Sequence, residues 1–271
     1  MQCETEKATI DYEEHGEGRP ILLLHGWTMD RRVEIFDYEK IFAGRPGWRR
    51  IYPDLPGMGR SVAKDGLANQ DDVLDALLAF IDQVLPGRFA LAGTSLGAYL
   101  ARAIAARRRS RIAGLLLRVP CIFAEDARRT LPPFQALVVD PDDRANLGGL
   151  LIQTPAYAQA LKHKDDAVVQ PAIQATAPIA NEIRANPSRY GFSFDLIEAE
   201  KTFDEPTLII AGRRDTTVGY RDAWSILDSY PRATFVALDR ADHGWPMETP
   251  NLLPALIDDW LARMALAEQG A

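Results

Sequence analysis

The chain has 271 residues, 47% of them apolar and 25% charged, with 31 basic against 38 acidic side chains and a formal net charge of −7. That is an ordinary globular composition with ample length for a core, and the acid excess argues against nucleic acid or an anionic membrane surface as a main partner. The two cysteines, Cys3 and Cys121, have no Cys or His at metal-ligand spacing, so no metal is indicated.

Met1 to Lys7 contains no apolar h-region and no later stretch approaches a membrane span, so a cytoplasmic protein is expected. Lys7 to Glu14 alternates loosely and reads as an edge strand. After a turn at Gly16–Pro20, the run Ile21-Leu-Leu-Leu24 suits a strand buried on both faces, ending at His25-Gly26-Trp27. A helix is predicted over Arg31–Phe42 and is broken by Pro46-Gly47. Trp48–Tyr52 is the next strand, followed by the Gly- and Pro-rich loop Pro53–Ser61. Apolar residues at Val73, Leu74, Leu77, Leu78, Ile81 and Leu85 predict a helix over Asn69–Leu85, stopped by Pro86-Gly87. Phe89–Ala92 is a short strand, and Leu96–Ala106, rich in Ala and Leu, a helix. Ile112–Val119 is another strand.

Strand and helix alternate up to this point, which argues for an α/β fold: a mostly parallel, twisted sheet with helices on both faces. The alternation lapses from about Cys121 to Phe203. That stretch shows helical pieces such as Arg144–Lys164 and Ala167–Ala185, with prolines at 132, 133, 155, 171, 178 and 187 and no convincing buried strand. It reads as a helical insertion, residues 121–203, within a core made of 1–120 and 204–271. The alternation resumes with the strand Pro206–Gly212, a helix near Tyr220–Tyr230, the strand Ala233–Leu238 and a final helix over Asn251–Ala267.

Gly93-Thr94-Ser95-Leu96-Gly97 joins a strand to a helix and matches G-x-S-x-G. A nucleophile on such a turn is held in a strained conformation with its hydroxyl exposed, glycines on either side avoid collisions, and the helix N-terminus aims free N–H groups at the same point. The plain alternative is a serine that only caps the helix. Two other strand ends carry what Ser95 needs. Gly212-Arg-Arg-Asp215 follows one strand, and Asp239-Arg-Ala-Asp-His243-Gly244 follows the next. Each alone is an ordinary turn Asp or loop His. Together, in the order Ser, Asp, His, they supply a nucleophile, a carboxylate that orients the imidazole, and a base. His15, His25 and His163 compete weakly for the base role. Gly26 permits close backbone approach, so the N–H groups of Trp27 and Leu96 form the expected oxyanion hole, and His25 is expected to hold the loop.

The segments His25-Gly26-Trp27, Asp54–Ser61, Gly93–Gly97, Gly212–Asp215 and Asp242-His243-Gly244 resemble the α/β-hydrolase superfamily in its lidded form, over nearly the whole chain. The resemblance implies catalytic roles for Ser95, Asp215 and His243, backbone donors at Trp27 and Leu96, and a helical cap (lid) at 121–203. The Gly-Arg-Arg-Asp segment and Tyr190–Asp195 look like a largely uncharacterised bacterial subgroup. Some members place the acid after the sixth strand, where Glu125 and Asp126 lie as runners-up. Ser95 stands where epoxide hydrolases and haloalkane dehalogenases carry Asp, so their carboxylate chemistry is not implied.

The resulting expectation is a serine hydrolase that cleaves a small carboxylic ester, or a related acyl bond, without a cofactor. C–C bond hydrolysis and cofactor-free perhydrolysis reuse the same triad, and a ligand-binding receptor on this fold is a third reading. Thr94 and Trp245 are expected beside the pocket. Phe123, Phe134, Tyr157, Tyr190, Phe192 and Phe194 are its aromatic candidates, better explained singly as packing. Arg118 interrupts a buried strand. It either faces the pocket to bind an acidic substrate group or pairs with an acid such as Glu125 or Asp126. The expected partner is a small-molecule substrate, with no nucleic acid and no membrane, and a homodimer is left open.

Overall fold

Short apolar runs bounded by Gly, Pro and polar residues become strands, and the amphipathic runs between them become helices. The computed structural model describes residues 1–133, 155–244 and 251–269. Its strands are β1 (Gln2–Glu4), β2 (Ala8–His15), β3 (Arg19–Leu24), β4 (Trp48–Pro53), β5 (Val62–Ala63), β6 (Phe89–Thr94), β7 (Ile112–Arg118), β8 (Thr207–Gly212) and β9 (Ala233–Leu238). They form one sheet in the order β1-β2-β4-β3-β6-β7-β8-β9, with β5 paired to β2. From β4 to β9 every pairing is parallel, whereas β1, β2 and β5 are antiparallel.

Lys7–Glu14 was expected at an edge, but β2 lies inside the sheet, flanked by β1 and β4. The covering strand, Gln2–Glu4, is three residues long and leaves no periodic trace in the sequence.

Each central strand divides its side chains between two cores, as the two-residue period requires. Leu22, Leu24, Leu91, Leu115 and Leu117 pack on one face, with Val73, Leu77 and Ile81 of α2 (Gln70–Val84) and Leu100 and Ile104 of α3 (Leu96–Arg107). Ile21, Leu23, Ala90, Ala92 and Leu116 pack on the other. There they meet Tyr38, Ile41 and Phe42 of α1 (Arg31–Phe42) and Ile257, Trp260 and Met264 of a C-terminal helix (Leu252–Gln269). Asp30 caps α1, and Asn69 and Asp72 form a reciprocal capping box that starts α2 at the expected place.

Between β7 and β8 the described residues hold no strand, as expected. They form α4 (Pro155–Lys164), a π-helical turn (Asp165–Val169), α5 (Gln170–Gln174), α6 (Pro178–Ala185), α7 (Pro187–Tyr190) and α8 (Leu196–Glu200). The expected piece Ala167–Ala185 is split, because Pro178 has no N–H to continue a helix and instead opens α6. The start of the expected piece Arg144–Lys164 lies outside the described residues. Helices α9 (Tyr220–Ser225) and α10 (Leu252–Gln269) complete the chain. Among the described residues no helix is long and apolar enough to cross a membrane.

One ion pair ties this helical segment to the sheet. Arg102 of α3 is fully buried, and its guanidinium grips both oxygens of Glu200 at the end of α8, the Nη2–Oε2 distance being 2.9 Å. The Tyr230 hydroxyl donates to the same carboxylate. Removing one partner leaves the other charge buried without compensation, at a typical cost of ~3–5 kcal/mol. Glu200→Ala is therefore expected to lose about that much unfolding free energy in urea titration; a loss below about 1 kcal/mol would show that the pair does not anchor α8.

Candidate active site

The site is built outward from the end of β6. Ser95 has φ 55 and ψ −112, a positive φ rare for a residue with a Cβ and a typical cost of ~1–3 kcal/mol. The neighbouring strand holds it there: Ser95 N–H donates to Arg118 O at 2.9 Å, and Ser95 O accepts from Ala98 and Tyr99 of α3. The two motif glycines are required by contact. A Cβ on Gly93 would lie 2.3 Å from Gly97 O, and one on Gly97 would lie 2.1 Å from Leu24 O. Ser95 makes no side-chain capping bond to α3, so the helix-cap alternative does not describe it.

Its hydroxyl instead donates to His243 Nε2 at 2.9 Å, and His243 Nδ1–H donates to Asp215 Oδ2 at 2.9 Å. Asp215 follows β8 and His243 follows β9, so neighbouring parallel strands deliver both to the sheet end that carries Ser95. The other oxygen of Asp215 accepts from the N–H groups of Thr217 at 2.8 Å and Val218 at 2.9 Å. Burial alone would raise the Asp215 pKa, but His243 and those two N–H groups hold it below the usual carboxylate range. An ionised carboxylate at Nδ1 fixes the ring tautomer with Nε2 free to take a proton. The runners-up are elsewhere: Asp126 is largely exposed and pairs with Arg129 and Arg184.

The segment that carries Trp27 follows β3, the other neighbour of β6, with Leu24 opposite Gly93. A Cβ on Gly26 would lie 3.5 Å from Ser95 Cβ, so only a small residue allows that approach. The chain then turns through Gly26 O, which accepts from Met29 N–H, with Thr28 at φ 58. Trp27 N–H in this turn and Leu96 N–H at the head of α3 have no acceptor among the described residues. His25 is fully buried, accepts from Leu55 N–H at Nε2 and donates from Nδ1 to Gly26 O, so it holds the loop. Burial lowers its pKa, which keeps it neutral in that role.

Ser95, His243, Gly26 and Trp27 line a cavity of about 510 Å³, with Met29, Val33, Leu161 and Val169 as apolar wall. Thr94 and Arg118 line it too. The alternative for Arg118 named the wrong acids. Its Nη1 donates to Asp37 Oδ2 of α1 at 2.7 Å, while Asp126 is taken by other arginines. Trp245, Phe134 and the side chain of Tyr157 lie outside the described residues. Tyr190 lines the cavity, whereas Phe192 and Phe194 stack on Tyr99 and on each other as packing.

Glu34, Asp37 and Lys164 also line the cavity, and no motif announces them. Lys164 of α4 donates to Asp37 Oδ2 at 2.8 Å, so one carboxylate oxygen serves two cations. Burial pushes Glu34 up to about 7, and Asp37 adds to this while Arg118 opposes it. The sequence offered one sign of them. Glu34 and Asp37 share the buried face of α1 with Val33, Tyr38 and Ile41, two acids interrupting an apolar period.

With the geometry in hand, known proteins can be set beside it. A model of the alpha/beta hydrolase family matches residues 21–253. The chain is 25% identical over 264 residues to a pimeloyl-[acyl-carrier protein] methyl ester esterase of Shewanella woodyi, covering 94% of this chain and 98% of that one. The same kind of esterase from Legionella pneumophila is 33% identical over 109 residues, and that match spans only 40% of either chain. Among solved structures, an alpha/beta superfamily hydrolase from Oenococcus oeni superposes with a TM-score of 0.80 at 23% identity, over 98% of this chain and 99% of that one, a likeness of fold. The chain is an enzyme of the alpha/beta hydrolase family.

Proposed function

We propose that the chain is a serine hydrolase that cleaves a small carboxylic ester through an acyl-serine intermediate. The observation that carries this is the continuous relay from Ser95 Oγ through the His243 ring to Asp215, with both links at 2.9 Å. Relatives whose names denote methyl ester esterases support the same reaction class.

In this reading His243 Nε2 takes the hydroxyl proton as Ser95 Oγ attacks the ester carbonyl carbon. The carbonyl π electrons move to oxygen, and the N–H groups of Trp27 and Leu96 stabilise the negative charge there. One such donor is typically worth ~2.7–4 kcal/mol of transition-state stabilisation. The carbonyl then re-forms, the ester C–O bond breaks, and His243 returns the proton to the departing alcohol. Water repeats the sequence on the acyl-serine: His243 takes its proton, the acid is released, and Ser95 regains its hydrogen. Asp215 keeps the ring oriented and stabilises the imidazolium at both stages. The helices from α4 to α8 act as a cap: Leu161, Lys164, Val169 and Tyr190 close the cavity and shield the reaction from bulk water.

Ser95→Ala is expected to lower kcat for p-nitrophenyl butyrate by ~10⁴-fold or more while the thermal unfolding profile is retained. Turnover within tenfold of the unaltered protein would exclude Ser95 as nucleophile. Asp215→Asn keeps the shape of the side chain but favours the wrong tautomer, and a fall of about 10⁴-fold in kcat is expected. A loss under tenfold, measured on the folded variant, would mean that another group orients His243.

A further inference from the structure

The acid of the relay is held from the side away from His243. Asp215 Oδ2 serves the imidazole, while Oδ1 accepts from the N–H groups of Thr217 and Val218 in the loop that follows β8. Residues 213–219 contain no helix or strand, so the shape of this loop has to be fixed from outside it. The chain that leaves β7, residues 121–131, lies against it and makes three contacts. Arg129 Nη1 donates to Thr217 O at 3.1 Å. Thr130 N–H donates to Asp222 Oδ2 at 2.9 Å, in the first turn of α9. Gly219, at φ 74, sits so near Thr130 that a Cβ on it would lie 2.4 Å from Thr130 O.

Arg129 is the centre of this contact. Its side chain is 5% exposed, and all three guanidinium nitrogens are engaged by the protein. Nε donates to Phe123 O at 2.9 Å, Nη2 to Ala124 O at 3.0 Å and to Cys121 Sγ at 3.6 Å, and Nη1 lies 2.7 Å from Asp126 Oδ1 besides its bond to Thr217 O. Arg129 borders the cavity, but its donors are turned to the protein and not to a substrate. The Thr217 C=O and the Val218 N–H belong to one peptide group. A cation at that oxygen polarises the group and makes its N–H a stronger donor, and hydrogen bonds joined in such a chain reinforce one another. The chain runs from Arg129 through the Thr217–Val218 peptide to Asp215 Oδ1, and from Asp215 Oδ2 through His243 to Ser95. We propose that Arg129 is a positioning residue for the relay, fixing the loop 215–219 and, through the Thr217–Val218 peptide, the orientation of Asp215 against His243. The proposal rests on the serine-hydrolase reading. A role in packing alone would cost stability and leave the rate per folded molecule unchanged; a positioning role changes that rate.

The test is a pair of substitutions read with p-nitrophenyl butyrate, with rates referred to folded protein. Arg129→Met keeps the stem of the side chain and removes the charged donors. It is expected to lower kcat by about 10–100-fold with KM changed by less than about threefold, since a small displacement of a catalytic group is that costly. Arg129→Lys retains one charged donor and should recover part of the loss. In an Asp215→Ala background, Arg129→Met should change kcat by less than about threefold, because the group through which it acts is gone. If Arg129→Met does not fold, Arg129→Lys is taken through the same cycle, with a smaller loss of about three- to tenfold expected with Asp215 present and none with it absent. The proposal is overturned by a kcat that falls less than about threefold, by a raised KM at unchanged kcat, which marks a substrate contact, or by an equal loss with and without the Asp215 side chain. If no ester is turned over, the hydrolase reading fails, and proton NMR decides the positioning role alone. The proton between His243 Nδ1 and Asp215 Oδ2 resonates far downfield of the amides; its signal should be shifted or lost in Arg129→Met and kept in Arg129→Lys. A downfield signal unchanged in Arg129→Met refutes the proposal.

Discussion

Everything at the site depends on one backbone conformation, the positive φ of Ser95 between β6 and α3. A residue with a Cβ adopts it only where its surroundings leave no alternative. Here they are a hydrogen bond from Ser95 N–H to Arg118 O on β7, two bonds from α3 to Ser95 O, and contacts so close at Gly93 and Gly97 that no side chain fits. The conformation throws the hydroxyl clear of the sheet and leaves the first N–H groups of α3 beside it. Sheet order supplies the remaining parts. β3 lies on one side of β6 and brings Trp27, while β8 and β9 lie beyond β7 on the other and bring Asp215 and His243. Residues far apart in the chain meet because parallel strands all end at the same side.

Much of this could be read in the sequence, because its signals are local and chemical. A short apolar run ending in a glycine-flanked polar residue marks a buried parallel strand and its functional end. The runs before His25 and Ser95 have that form, those before Asp215 and His243 end a few residues short of the polar residue, α2 follows from apolar spacing and its cap, and α3 from its Ala- and Leu-rich composition. What could not be read is set by distant partners. The place of β2 inside the sheet depends on β1, which is too short to show a period. The split between α5 and α6 was signalled by Pro178, and the longer helical reading passed over it.

The polar wall of the cavity was the hardest part to foresee, for a physical reason. Arg118 announced itself as a charge in a buried strand, but its partner lies 81 positions earlier in the chain, on a helix that otherwise reads as ordinary. Buried ion pairs of this kind contribute little net stability, since desolvation offsets most of the attraction. Asp37 nevertheless holds two cations with one oxygen, and its other oxygen is buried with no hydrogen-bond partner among the described residues.

The central claim is that Ser95 is a nucleophile activated by His243 and Asp215. Intact-mass spectrometry after treatment with a fluorophosphonate tests it directly, because such reagents form a stable bond with an activated serine and not with an ordinary one. The account predicts one adduct per chain, mapped by peptide analysis to Ser95, absent from Ser95→Ala and strongly slowed in His243→Ala. Folded protein that takes up no label, or takes it up at another residue, would contradict it.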